Sequence, residues 1–213
     1  RRQMLLDAAE SVFLELGYGS ASMDDIARRV RMSKKTLYRL FDTKASLFAA
    51  VVASRRAVLN AMVEAEDCTG ADTAEEVLRR FLGKIARFVL APRQAAIYRL
   101  VIAESHRAPE LAHAFHSEGP SKARAMLTEW LRSQDKRGAL VVPDAAAAAG
   151  MLISMVIADP QMCVLIGESR APEDAVIDER VERAVGLFLQ GSLPRRERQT
   201  PERAPRLLPV AAN

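Results

Sequence analysis

Residues 22–48 read Ser22-Met23-Asp24-Asp25-Ile26-Ala27-Arg28-Arg29-Val30-Arg31-Met32-Ser33-Lys34-Lys35-Thr36-Leu37-Tyr38-Arg39-Leu40-Phe41-Asp42-Thr43-Lys44-Ala45-Ser46-Leu47-Phe48. Three helix starts fall within this stretch. Ser22 stands before Asp24 and Asp25, the order of an N-cap followed by carboxylates that suit the positive end of the helix dipole. Ser33 is a second N-cap, opening Lys34–Leu40, and Asp42 or Thr43 caps a helix that begins at Lys44. Helix 22–29, the turn Val30-Arg31-Met32 and helix 33–40 have the proportions of a helix-turn-helix. In that motif the second helix enters the DNA major groove with its N-terminal residues at the base edges.

The residue types suit that task. Leu37 and Phe41 are spaced i, i+4 and anchor the second helix inward. Lys34, Lys35, Thr36, Tyr38 and Arg39 are then left facing outward or sideways. Lysine and arginine donate to guanine O6 and N7, and threonine touches a thymine methyl. A Tyr38 hydroxyl reaches a phosphate, and the helix starts at Ser22, Ser33 and Lys44 offer backbone N–H groups to phosphates, with Lys44 adding charge. Taken singly each residue also has a plain reading, as a cap, a packed ring or a surface lysine. The charge distribution favours the first reading. Residues 28–44 hold seven Lys/Arg against Asp42 alone, and residues 1–56 carry +5, residues 57–194 −4 and residues 195–213 +3. A basic head on a mildly acidic body points to an anionic partner for the head, double-stranded DNA.

Outward from the head the apolar period is helical. Leu5, Leu6, Ala9, Val12, Phe13 and Leu16 share one face of a helix over 2–16 that Gly17 stops. The helix from Lys44 carries Leu47, Phe48, Val51 and Val52 and runs into the sixties. After a break at 67–72, helices are expected near 73–90, 93–106, 109–116, 120–136, 144–166 and 173–190, separated by prolines and glycines, with Pro160 kinking or splitting the fifth of these. No strand pattern of useful length occurs. The fold class is therefore all-α: a helix-turn-helix DNA-binding head over 1–46, a helical ligand-binding and dimerisation domain over 47–192, and a Pro/Arg-rich extended tail over 193–213. A chain of 213 residues with 49% hydrophobic residues buries a core without disulfides or metals. Cys68 and Cys163 lie far apart, no signal-peptide stretch precedes Asp7 and Glu10, and no charge-free apolar run reaches 18 residues. A cytoplasmic protein without a membrane partner is the expectation.

The segment Ser22–Ala27, followed by Met32–Phe48, resembles the TetR family of transcriptional regulators. The leading helix, Gly17-Tyr18, the short second helix, the T-L-Y-x-x-F run and the following K-x-x-L-F fall in the family's order over residues 2–52. Two residues depart from it: Arg31 stands where the family usually has a turn glycine, and Met23 where threonine is common. Residues 98–111 also look like one subgroup of the family's C-terminal domains. The resemblance implies an all-helical Ω- or V-shaped homodimer, each subunit a DNA-binding head on a regulatory body. It implies, for most members, a repressor released by a small molecule.

For the body, the resemblance places the dimer face on the last two long helices, about 144–166 and 173–190. The run Ala145–Ala149 with Gly150 permits close helix approach, and Met151, Leu152, Met155, Val156 and Ile157 supply apolar bulk. Candidates for a pocket holding an unknown small-molecule effector are Phe81, Phe88, Tyr98, Ile102, Met126, Trp130 and Met155, although such residues at helical spacing are also ordinary core. His113 and His116 are spaced i, i+3, but a metal needs more ligands than the surrounding pattern supplies, so no metal is expected. There is no nucleophile motif, Gly-rich phosphate loop or H-E-x-x-H, so neither a cofactor nor an enzymatic activity is expected. The alternative is a small-molecule-binding or enzymatic helical protein whose head no longer reads DNA. A ligand-independent factor or an activator is also compatible with the sequence.

Overall fold

A computed structural model describes residues 1–64 and 73–193, and among the described residues it contains ten α-helices and no strand. They are α1 (Arg2–Leu16), α2 (Met23–Arg29), α3 (Lys34–Leu40), α4 (Lys44–Glu64), α5 (Ala74–Leu90), α6 (Pro92–Glu104), α7 (Pro109–Glu118), α8 (Pro120–Lys136), α9 (Ala145–Ile166) and α10 (Asp174–Ser192). The tail from Pro194 onward and the whole expected break at 67–72 lie outside the described residues. Pro92, Pro109 and Pro120 do more than separate helices, because each opens one. Proline suits that position, where its missing N–H is not needed and its φ is already helical.

The head is built from α1, α2, α3 and the start of α4. The aromatic rings of Phe13, Tyr18 and Phe48 form its centre, with centroids 5.5 to 5.9 Å apart. Ile26, Leu37 and Leu47 close round them with no exposed surface. This core does not stop at the end of the head. It continues through Val51 and Val52 of α4 into Ile97, Val101, Leu111 and Phe115 of α6 and α7. A second core joins α5, α8, α9 and α10 through Leu78, Leu82, Leu131, Leu152, Val181 and Val185.

Pro160 does not split α9, which runs unbroken to Ile166. Side chains from neighbouring helices attend to its backbone on both sides of the proline. Arg180 donates to the Met155 carbonyl at 3.1 Å, and Arg99 donates to the Val164 and Leu165 carbonyls near the C-terminus. Helix α9 is long and apolar enough to cross a bilayer by length and hydropathy, with a best 18-residue window of mean hydropathy 1.8. Only 22% of that window is buried. Met151, Met155, Met162 and Ile166 stand exposed on it, and Val176 and Leu187 on α10.

Candidate nucleic-acid interface and effector cavities

The second and third helices are fixed at their starts by their own side chains. The Ser22 hydroxyl accepts from the Asp25 N–H at 3.1 Å while the Asp25 carboxylate accepts from the Ser22 N–H at 3.1 Å, a reciprocal box. Hydrogen bonds from Ser22 hold the Asp25 carboxyl below the usual carboxylate range. The Ser33 hydroxyl accepts from the Thr36 N–H at 3.1 Å and lies 2.8 Å from the Thr36 hydroxyl. Between the two helices Arg31 adopts φ +52°, the left-handed conformation that favours glycine. The chain thus keeps the turn of the glycine-containing pattern with an arginine in it. Met23 is buried, so it belongs to the core of the head and not to its surface.

Helix α3 turns Leu37 inward, where it is fully buried, with Phe41 beneath it. Lys34, Lys35, Tyr38 and Arg39 lie on the exposed side, and Thr36 is half-buried at its edge. The seven cations of residues 28–44 are not equivalent. Arg28 pairs with Asp25 at 3.2 Å, Arg29 with Glu15 at 2.6 Å and Lys34 with Asp24 at 2.9 Å. The hydrogen bond and charge of Asp24 raise the Lys34 pKa, and its ammonium sits 5.9 Å from the Tyr38 ring centroid. Among the described residues Arg31, Lys35 and Arg39 have no carboxylate partner. Arg31 also borders a groove of about 990 Å³ between α1 and the turn, with Arg1, Ser33 and Thr36 among its lining residues. Arg31, the departure from the family's turn glycine, is itself exposed.

Lys44 is placed differently from the expectation. Its ammonium donates to the carbonyls of Tyr18, Gly19 and Ala21 at 2.5, 3.3 and 2.9 Å and lies 4.5 Å from the Tyr18 ring centroid. An ammonium has three donors, and all three are engaged. Burial lowers its pKa against the opposing pull of Glu104 and Glu110. The expected phosphate contact finds no free donor on the Lys44 ammonium here: the side chain ties α4 to the loop after α1. Thr43, not Asp42, caps α4, its hydroxyl accepting from the Ser46 N–H at 3.0 Å. The same loop meets the body. Burial and the Glu110 carboxylate push the Tyr18 hydroxyl up to about 12. The Glu104 carboxylate sits so close to Gly17 and Gly19 that a Cβ at either would lie 3.1 Å from it.

A second tie joins head and body. Glu10 of α1 is 2% exposed and accepts from Arg55 of α4 at 2.5 Å and from Arg93 of α6. Asp7 accepts from the same two arginines at 2.5 and 3.4 Å. Burial pushes the Asp7 carboxyl up, but hydrogen bonds from Gln3 and Arg55 and the charges of both arginines outweigh it and hold the group below the ordinary range.

Arg55 also walls a small apolar cavity of about 50 Å³ that holds Phe88 and Tyr98 of the pocket candidates. Tyr98, Ala123, Ile85 and Val89 also line a wider cleft of about 530 Å³ between α8 and α9. Phe81, Met126 and Trp130 line a separate cavity of about 190 Å³. Ile102, 59% exposed, and Met155, 38% exposed, line none of these. The seven candidates are thus not one pocket, because helical spacing places side chains on a face without saying which neighbour meets it. His113 and His116 are both exposed on α7, and among the described residues no group of three metal-ligating side chains forms.

These features agree with the comparisons to known proteins. Residues 5–51 match the description of bacterial regulatory proteins of the tetR family, and residues 76–191 match the C-terminal domain of AefR-like transcriptional repressors. The chain belongs to the TetR family, a family of non-enzymatic transcriptional regulators. Among its relatives, the HTH-type transcriptional activator FasR of Mycolicibacterium smegmatis is 48% identical over 52 residues, 24% of each chain. The match thus spans about a quarter of that relative's length. The solved structure of the flavonoid-responsive regulator FrrA is 28% identical, with a TM-score of 0.76 over 91% of this chain and 97% of that one. A protein from Mesorhizobium loti assigned to the same family is 25% identical, with a TM-score of 0.76 over 91% and 96% of the two chains.

Proposed function

We propose that this chain is a dimeric, ligand-responsive repressor that acts on a near-palindromic operator in the cytoplasm. The observation that carries the reading is the outer face of α3, where buried Leu37 sets the rotation and Lys35 and Arg39 point outward without carboxylate partners. Lys34, Lys35, Thr36 and Arg39 read bases, while Tyr38 and the helix starts at Ser22 and Ser33 hold phosphates. A homodimer spaces two such helices by roughly 34–36 Å, one turn of the duplex. The dimer forms through α9 and α10, whose exposed methionines and aliphatic side chains need a covering surface. The effector enters the body through the α8–α9 cleft, and the description of FrrA as flavonoid-responsive supports a small-molecule role for a body of this shape. Movement of α4 and α6 then reaches the head through the Lys44 and Glu10 ties.

Selection of bound duplexes from a randomised pool tests this directly. Enrichment of an inverted repeat is the expected result, with repression of a reporter placed behind that repeat. Activation of the reporter overturns the sign of regulation. Failure of a folded, ligand-free sample to enrich any duplex overturns DNA reading itself.

A further inference from the structure

We infer that the effector is an organic anion with an apolar body, and that its acidic group pairs with Arg124. The inference rests on the reading of the body as an effector-binding unit. The α8–α9 cleft measures about 530 Å³, within the range of small-molecule sites. Ile85, Val89, Tyr98, Ile153 and Ile157 give it an apolar wall, and Tyr98 and Ala123 lead from it to the smaller cavity beside Phe88. Its charged lining consists of Arg124, Arg132 and Glu129. Glu129 is already paired with Arg132. Arg124 has no carboxylate partner among the described residues, and its Nε and one terminal nitrogen donate only to the Ala146 carbonyl, at 3.3 and 3.1 Å. A guanidinium has five N–H donors, so the outer edge remains open for an acceptor.

The backbone of α9 makes room for this arrangement. Gly150 faces the guanidinium, and a Cβ there would lie 3.1 Å from the Arg124 central carbon. The cleft therefore presents one guanidinium without a carboxylate partner, exposed to solvent at the edge of a hydrocarbon wall. Carboxylate, sulfonate and phosphate all satisfy this geometry. The common requirement is one anionic group on an apolar frame.

The test uses two probes of nearly the same frame, the anion 1-anilinonaphthalene-8-sulfonate and neutral N-phenyl-1-naphthylamine. Fluorescence titration of the full-length protein is expected to show tighter binding of the sulfonate. Arg124→Gln is expected to weaken the sulfonate about tenfold or more, the worth of a charged hydrogen bond, and to leave the neutral probe within about threefold. Arg124→Lys keeps the charge and is expected to retain most of the sulfonate affinity, which separates loss of charge from loss of shape. Equal binding of the two probes, or indifference of the sulfonate to Arg124→Gln, overturns the anionic assignment and leaves the effector cleft standing. If neither probe binds, the cleft itself is overturned as the effector site.

Discussion

Replacing Glu10 with glutamine removes the buried charge from the ion network that joins α1, α4 and α6. The substitution keeps the size of the side chain and leaves Arg55, 16% exposed, with one carboxylate fewer. Breaking a buried pair by removing one partner costs roughly 3–5 kcal/mol, because the remaining charge stays desolvated. Two features place this case at the lower end. Asp7 still accepts from Arg55, and Arg93 is half exposed, so its share is that of a surface pair, about 1 kcal/mol or less. A loss of about 3 kcal/mol is expected. At roughly 2–4 °C per kcal/mol for a chain of this size, Tm should fall by about 6–12 °C. The assay is thermal unfolding by circular dichroism at fixed protein concentration, since dimerisation couples to stability. Asp7→Asn, on the exposed rim of the same network, should cost less than a third as much. A Glu10→Gln variant that melts within about 2 °C of the parent, or together with Asp7→Asn, would refute the account of the network as a buried tie.

Four further outcomes are expected. Lys44→Met should lower stability and weaken DNA binding while leaving the slope of log affinity against log salt unchanged, whereas loss of a direct phosphate contact would reduce that slope by about 0.9. Arg39→Ala should cost about 1–3 kcal/mol at one base position and relax the consensus there in a repeated duplex selection. Met155→Glu on the exposed face of α9 should shift the protein toward monomer in analytical ultracentrifugation; an unchanged dimer excludes that face from the interface. The lowered pKa of Asp7 and Asp25 sets an acid limb. Their folded values lie below their unfolded ones, so their stabilisation is present above about pH 4 and disappears as pH falls through the folded values. Asp25→Asn should flatten that limb in a series of melts between pH 6 and about pH 2.5.

The parts of the molecule that were legible in the sequence are those set by near neighbours along the chain. Ser22 with Asp25 and Leu37 with Phe41 act over three or four residues, so their spacing alone predicts the cap and the buried side. The overall helical class follows for the same reason. Lys44 was misread because its partners lie 23 to 26 residues away in a loop, and a lysine at a helix start looks the same whether it reaches outward or back. The Glu10 tie was invisible because Arg55 and Arg93 come from two other helices. The pocket candidates divide among separate cavities for a related reason. Phe81 and Phe88 share α5 yet line different cavities, and only the packing of α6, α8 and α9 decides which.

The position of Lys44 also says where the molecule can be cut and rejoined. The recognition element looks separable at Thr43, the last residue before α4. A chimera joined there with any residue but lysine at 44 would leave the three carbonyls that hold the loop against α4 without their donor. The donor and the loop it fastens belong to one inheritable unit. A transplanted reading head has to carry the first turns of α4 with it, through Phe48, whose ring completes the aromatic centre with Phe13 and Tyr18. An exchange at this junction therefore leaves the head intact only when the crossover falls beyond that ring or the incoming helix supplies the same lysine and ring.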